Sequence, residues 1–329
     1  MPRQNSCIIA QNIWLNISYR QLVFLWYYIF MAAMVSQTEQ NTPSTIGIDT
    51  WESVAILNAL VDGQDRAVTA VRHAIPRIAE AAEVLAERLA KGGRLAYAGA
   101  GTSIRIAVQD GSELSATFGM VEDDILYLIA GGQRAIFDTM ADAEDDVEAG
   151  TRDAASLTES DTLIAVAASG STPYTIAAAT AAKAKGCYVI SIVNNQHSKL
   201  GALANVEIAL ESGAEVIAGS TRMGAGTAQK AALNMITTLA HIRLGAVHDG
   251  MMVNVKAGNL KLKQRAIKIV AKISGAGDEN SRLALASCRM AVKPAIILLA
   301  GAKTPAVANE LLLKTKGNLR LALAQIKPK

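Results

Sequence analysis

Residues 94–103 read Arg94-Leu-Ala-Tyr-Ala-Gly-Ala-Gly-Thr-Ser103, a short apolar run that ends in two glycines and then two hydroxyl residues. An apolar run of this length forms a buried strand, Gly99-Ala-Gly101 turns the chain, and Thr102 and Ser103 open a helix. That order presents backbone N–H groups to an anion at a helix N-terminus. Similar runs recur at 125–130, 162–168, 188–193 and 206–210, separated by helical segments such as 173–185. Strands alternating with helices pair in parallel, so the spacing predicts an α/β fold with a doubly wound, mainly parallel sheet. In such sheets ligands sit beyond the carboxyl ends of the strands, where 99–103, Gly131-Gly132 and 169–172 all fall.

Outward from this sheet, Thr50 is positioned to cap a helix starting near Trp51. The Ala-rich stretch 64–91 reads as a long helix with a kink at Pro76 and a stop at Gly92-Gly93. Downstream, Ser220-Thr-Arg-Met-Gly-Ala-Gly-Thr opens another long helix, with Ser or Thr as its cap and Arg222 in its first turn, running to about Leu244. Beyond Arg265 come short helical segments broken at Pro294 and Pro305. The chain is therefore expected to hold an α/β catalytic domain at 35–265 and a small all-helical C-terminal domain at 266–329.

Residues 1–34 differ from the rest. They hold seven of the fourteen aromatic residues, and their apolar run at 22–35 is shorter than the roughly 20 residues that cross a bilayer, though within signal-peptide range. Without a small-residue cleavage site, they read as an upstream extension outside the fold, with Met31 or Met34 as alternative starts.

Composition narrows the function classes. The 329 residues are 51% apolar but only 4% aromatic, which suits small side chains packing helices on a buried sheet. The net charge of +3 comes from 32 basic and 29 acidic residues intermixed along the chain, with no basic block interleaved with aromatics, so nucleic acid is not an expected partner. Cys7, Cys187 and Cys288 are distant and odd in number, which fits a reducing, cytoplasmic setting. The four histidines show no ligand spacing, and no metal site is expected.

Glu113 and Glu144, thirty-one residues apart, follow the Gly99-Ala-Gly-Thr-Ser103 loop in a chain that also carries Ser169-Gly-Ser-Thr-Pro173. Two carboxylates beside two anion-cradling loops point to an enzyme that moves protons on a phosphosugar. Plainer readings remain at this stage. Glu113 is equally a solvated helix residue, and Glu144 belongs to an acidic run of the kind that favours a helix start. The glycine loop is equally simple turn chemistry, and a dinucleotide fingerprint is disfavoured because Ile104 stands where its third glycine belongs. His248-Asp249 is either a base or a capping pair.

Taken together, the blocks resemble the N-acetylmuramic acid 6-phosphate etherases of the sugar isomerase (SIS) fold, which is flavodoxin-like. The likeness covers roughly 37–329. It rests on Ala98-Gly-Ala-Gly-Thr-Ser103, Asp110 to Glu113 with Thr117-Phe-Gly119, Ile129-Ala-Gly-Gly132, Ala143-Glu-Asp145, Ala168-Ser-Gly170 with Thr172-Pro-Tyr174, and Gly219-Ser-Thr-Arg222 with Ala225-Gly-Thr-Ala-Gln-Lys230. Thr38-Glu39, Asn41, Met252-Val-Asn-Val-Lys-Ala257, Asn259, Lys261 and Leu262 agree as well.

The resemblance implies that Glu113 is the general acid and Glu144 the second catalytic carboxylate. Gly101, Thr102, Ser103, Ser169, Ser171, Thr172, Ser220 and Thr221 would hold the phosphosugar, with Arg222 on its phosphate or its lactyl carboxylate. It also implies a homodimer and a reaction that needs no cofactor. That reaction is cleavage of the D-lactyl ether to N-acetylglucosamine 6-phosphate and D-lactate by elimination and water addition, in cell-wall amino sugar recycling. A phosphosugar isomerase and a non-catalytic phosphosugar sensor are the alternatives. The chain departs from the family pattern at Ile104 (glycine), Leu114-Ser-Ala116 (Cys-Pro-Pro), Ser171 (arginine) and Gly224 (lysine).

Overall fold

The computed structural model describes residues 37–326, so the expectation for 1–34 lies outside the described residues. After three short 3-10 turns, helix α1 (Ser53–Ala90) runs without a break through Pro76. Its start owes nothing to Thr50, whose hydroxyl donates instead to the Gly47 carbonyl at 2.7 Å; Glu52 stands at the cap with no side-chain bond.

Strand β1 (Leu95–Gly99) leads through Ala100 into α2 (Gly101–Phe118), followed by β2 (Ile125–Ile129). Helix α3 (Val147–Asp153), β3 (Thr162–Ala167), α4 (Pro173–Ala184), β4 (Tyr188–Val193), α5 (Lys199–Leu203) and β5 (Val206–Ala209) complete the doubly wound unit. All five strands pair in parallel, in the order β2-β1-β3-β4-β5. The sequence therefore predicted the sheet correctly.

The strands alternate between two buried faces, as period-2 geometry demands. Leu95, Tyr97, Ile164, Val166, Ile190 and Ile192 face a core shared with α1, α2 and the later helix α6 (Gly224–Arg243). Ala96, Ala98, Leu163, Ala165, Val189 and Val193 face the opposite core with α4 and α5. Each fully buried Leu or Ile here contributes about 2 kcal/mol.

Winding reverses between β1 and β3, whose chains leave in opposite directions around the sheet, and this switch point opens a crevice at the strand ends. Gly99 closes the exit of β1: a Cβ there would lie 2.9 Å from the Val166 carbonyl oxygen and 3.3 Å from Ile104 Cβ.

Past α6, Val247–His248 (β6) and Met251–Met252 (β7) form a small antiparallel hairpin closed by Asp249-Gly250, both at positive φ. Helices α7 (Leu260–Ser274), α8 (Asp278–Ser287), α9 (Val292–Leu299), α10 (Pro305–Lys314) and α11 (Leu319–Ala324) follow. They enclose a third core that includes Val253, Val270, Leu285, Ile296 and Leu319.

Candidate active site

Gly101 takes a positive φ of 54° and heads α2, with Ala100 at its cap making no side-chain bond, so the first amides of the helix stay open to the crevice. Thr102 is half-buried and Ser103 buried. Across the switch point, Ser169 and Ser171 meet through their hydroxyls at 3.0 Å, and the Ser171 amide donates to Ser169 Oγ at 3.2 Å. Thr172 caps α4 without a side-chain bond, and Pro173 occupies its first turn, which leaves this N-terminus open as well.

Residues 37–39 stitch this loop to the next. Asn195 accepts the Gln37 amide at 2.8 Å and donates to the Ala168 carbonyl at 2.9 Å, while the Gly219 amide donates to the Thr38 carbonyl at 3.0 Å. A Cβ at Gly226 would lie 3.3 Å from the Thr221 carbonyl oxygen and 3.5 Å from Thr102 Cγ2, so the start of α6 sits against the start of α2. Ser220 and Thr221 are half-buried in that approach, and Arg222 is exposed.

The start of α6 differs from the sequence expectation. The helix begins at Gly224 rather than after Ser220, and no hydroxyl caps it. Glu215, only 4% exposed, does so: its carboxylate accepts the amides of Gly224 and Ala225, both at 2.9 Å. The chain's own anion therefore holds these two amides.

Glu144 lies in the 3-10 segment Ala141–Asp145. Gly131 (φ 81°) lets this segment close on the end of β2, since a Cβ there would be 3.1 Å from Ala143 Cβ and 3.2 Å from Met140 Cβ. Glu144 thereby lines a cavity of about 160 Å³ with Gly101, Thr102 and Arg105. Arg105 escaped the sequence reading. Its guanidinium donates to the carbonyls of Ala135 (2.9 Å) and Asp138 (3.1 Å), which fixes a cation one turn into α2.

Glu113 is exposed and does not line that cavity. It follows Thr102 by eleven residues, three helical turns, so both occupy the same face of α2 about 16 Å apart along its axis. Asp110, one turn earlier, is a buried anchor that accepts Tyr97 Oη (2.7 Å), Asn234 Nδ2 (2.6 Å) and Thr237 Oγ1 (3.1 Å). Burial, then the Asp110 charge and hydrogen bond, hold the Tyr97 phenol well above its usual range, so Tyr97 remains a donor. Among the described residues no cluster of His, Cys, Asp or Glu is placed to hold a metal. Asp249 pairs with Arg320, which makes His248-Asp249 part of a structural turn.

Residues 77–183 match the glucokinase regulatory protein N-terminal SIS domain, and 134–239 match the SIS domain. The N-acetylmuramic acid 6-phosphate etherase of Deinococcus radiodurans is 42% identical over 265 residues, covering 80% of this chain and 87% of that protein. That of Vibrio cholerae is 41% identical over 291 residues, covering 88% and 97%. The chain belongs to the N-acetylmuramic acid 6-phosphate etherase family. A phosphoheptose isomerase from Francisella tularensis is 19% identical, with a TM-score of 0.45 over 59% of this chain and 98% of that one.

The departures from the etherase pattern fall at distinct places. Ile104 is fully buried in the core under the glycine turn. Ser115, replacing a proline, accepts Lys256 Nζ at 2.8 Å and donates to Glu122 at 3.1 Å, tying α2 to the 253–257 segment. Ser171 is exposed at the crevice. Gly224 abuts Glu215: a Cβ there would lie 3.2 Å from Oε2.

Proposed function

We propose that this chain is an N-acetylmuramic acid 6-phosphate etherase, a carbon–oxygen lyase that releases D-lactate and N-acetylglucosamine 6-phosphate. The observation that carries this reading is the match to etherases at about 40% identity over most of this chain and most of theirs. The open amides of α2 and α4 with Thr102, Ser103, Ser169, Ser171 and Thr172 suit the 6-phosphate, because each helix start offers unpaired N–H groups and a positive dipole end. Gly101, Ser220 and Thr221 line the approach, and Arg222 is free to meet phosphate or carboxylate.

In the reaction, ring opening places an aldehyde at C1 and acidifies the C2 proton. One carboxylate removes that proton, the C3 oxygen leaves as lactate with a proton from the other, and water adds at C3 of the resulting double bond. The family resemblance assigns Glu113 as the acid and Glu144 as the second carboxylate; within one chain Glu113 stands about 16 Å along α2 from Thr102 and outside the Glu144 cavity, so this assignment needs the Glu113 of a second copy at the cavity.

A homodimer belongs to the same reading. Val54, Leu57, Val61, Val68 and Ile75 are exposed along one side of α1 at three-, four- and seven-residue steps. A second copy covering this stripe buries an apolar face that a lone chain leaves in water. A cytoplasmic location fits a phosphorylated substrate, and among the described residues no helix is long and apolar enough to cross a membrane. Incubating the purified chain with N-acetylmuramic acid 6-phosphate tests the activity: D-lactate release supports it, and turnover of hexose phosphates alone replaces it with an isomerase.

A further inference from the structure

A second cavity, of about 490 Å³, lies between the 253–257 segment and the C-terminal helices, and nothing in the proposed reaction uses it. Lys256, Arg289 and Lys293 line it, and none of its lining residues is acidic. Lys293 is only 7% exposed, and its ammonium donates to the Gly317 carbonyl at 2.7 Å, leaving two of its N–H groups over. Burial lowers that lysine to about 8.

Arg289 stands exposed at the rim and forms no ion pair among the described residues. Arg289 (φ 51°) and Met290 (φ 66°) both adopt the left-handed backbone that side chains disfavour, and both line the cavity. The cap of α9, Ala291, makes no side-chain bond, so the amides of Val292 and Lys293 also open here, Pro294 after them having no N–H.

Lys293 is buried with no carboxylate beside it, and Lys256 and Arg289 stand exposed at the rim of the same concavity next to the uncapped helix start, so the lining is positive with no acidic residue in it. We propose that this cavity binds a small phosphate-bearing molecule, held by Arg289, Lys256, Lys293 and the first amides of α9. Its volume is that of a small-ligand site rather than a peptide groove. Lys256 also donates to Ser115, two residues from Glu113, so a bound anion bears directly on the helix that carries the proposed acid.

Met290 supplies a local reporter for the test, which is independent of the etherase reading. The full chain is labelled at its methionine methyls, the Met290 signal is assigned with Met290→Leu, and inorganic phosphate is titrated at constant ionic strength against chloride. The signal is expected to shift saturably with phosphate and not with chloride, and Arg289→Gly should weaken binding at least about 10-fold. Glycine accepts the left-handed backbone at 289, so that variant keeps its fold. Lys293→Met gives a second reading on the opposite wall. Tighter binding of glycerol 3-phosphate than of inorganic phosphate supports the site with an ester as ligand; the reverse supports it with free phosphate. A Met290 signal that neither probe moves, or a shift that both variants leave unchanged, overturns the proposal.

Discussion

The carboxylate of Glu215 closes the N-terminus of the helix that begins at Gly224, taking two backbone amides at 2.9 Å each. This helix start, which the sequence offers as an anion site, is satisfied from within the chain. In the proposed reading, phosphate recognition is thereby left to the open starts of α2 and α4, on either side of the switch point. Glu215→Gln keeps the shape but replaces one acceptor with a donor facing an amide, and it removes the charge from the dipole. The variant should lose about 2 kcal/mol of stability in urea unfolding.

The two proposed catalytic glutamates carry the opposite signature. Both are exposed, so Glu113→Gln and Glu144→Gln should each change stability by less than about 0.5 kcal/mol. Each should cut kcat by roughly 100- to 10,000-fold with little change in KM. Steady-state kinetics on folded variants separates this outcome from general damage.

The apolar stripe of α1 gives a solution test. Leu57→Asp places a charge on an exposed position of one chain, so folding is unaffected. In a dimer that buries the stripe the same charge has no partner, and light scattering should show a shift from two copies toward one.

Asp161 predicts an acid limit. Burial alone would raise its carboxyl, but the Arg94 guanidinium, at 2.7 Å, with the amides of Arg94 and Thr158 outweighs that and holds it at about 2. A carboxylate lowered in the folded chain stabilises the fold above its unfolded value of about 4, and the contribution is lost as pH falls through about 2. Asp161→Asn should cost about 3 kcal/mol near neutrality. It should also flatten the fall in stability between those two values, as denaturation followed by circular dichroism across that range can show.

The sheet was legible because every residue of β1 and β3 is buried, so apolar composition alone marks these strands. The glycine turn at Gly99 to Gly101 and the open start of α4 were legible for a similar local reason, since neighbouring residues decide them. Glu215 was not, because its partners lie nine and ten residues downstream and meet it only after the chain has turned back. Arg105 was hidden similarly: backbone carbonyls beyond β2 fix its position, and carbonyls leave no mark in a sequence. The long helix starts earlier than its Ala-rich centre suggests, since Val54 to Val61 form part of its exposed apolar face.

The central claim is the elimination chemistry, and the most direct test is to run the purified chain on N-acetylmuramic acid 6-phosphate in deuterated water and follow the products by NMR. The account predicts D-lactate together with N-acetylglucosamine 6-phosphate that carries deuterium at C2. Lactate released with the original proton retained at C2 contradicts the elimination, and a folded chain that releases no lactate contradicts the etherase itself.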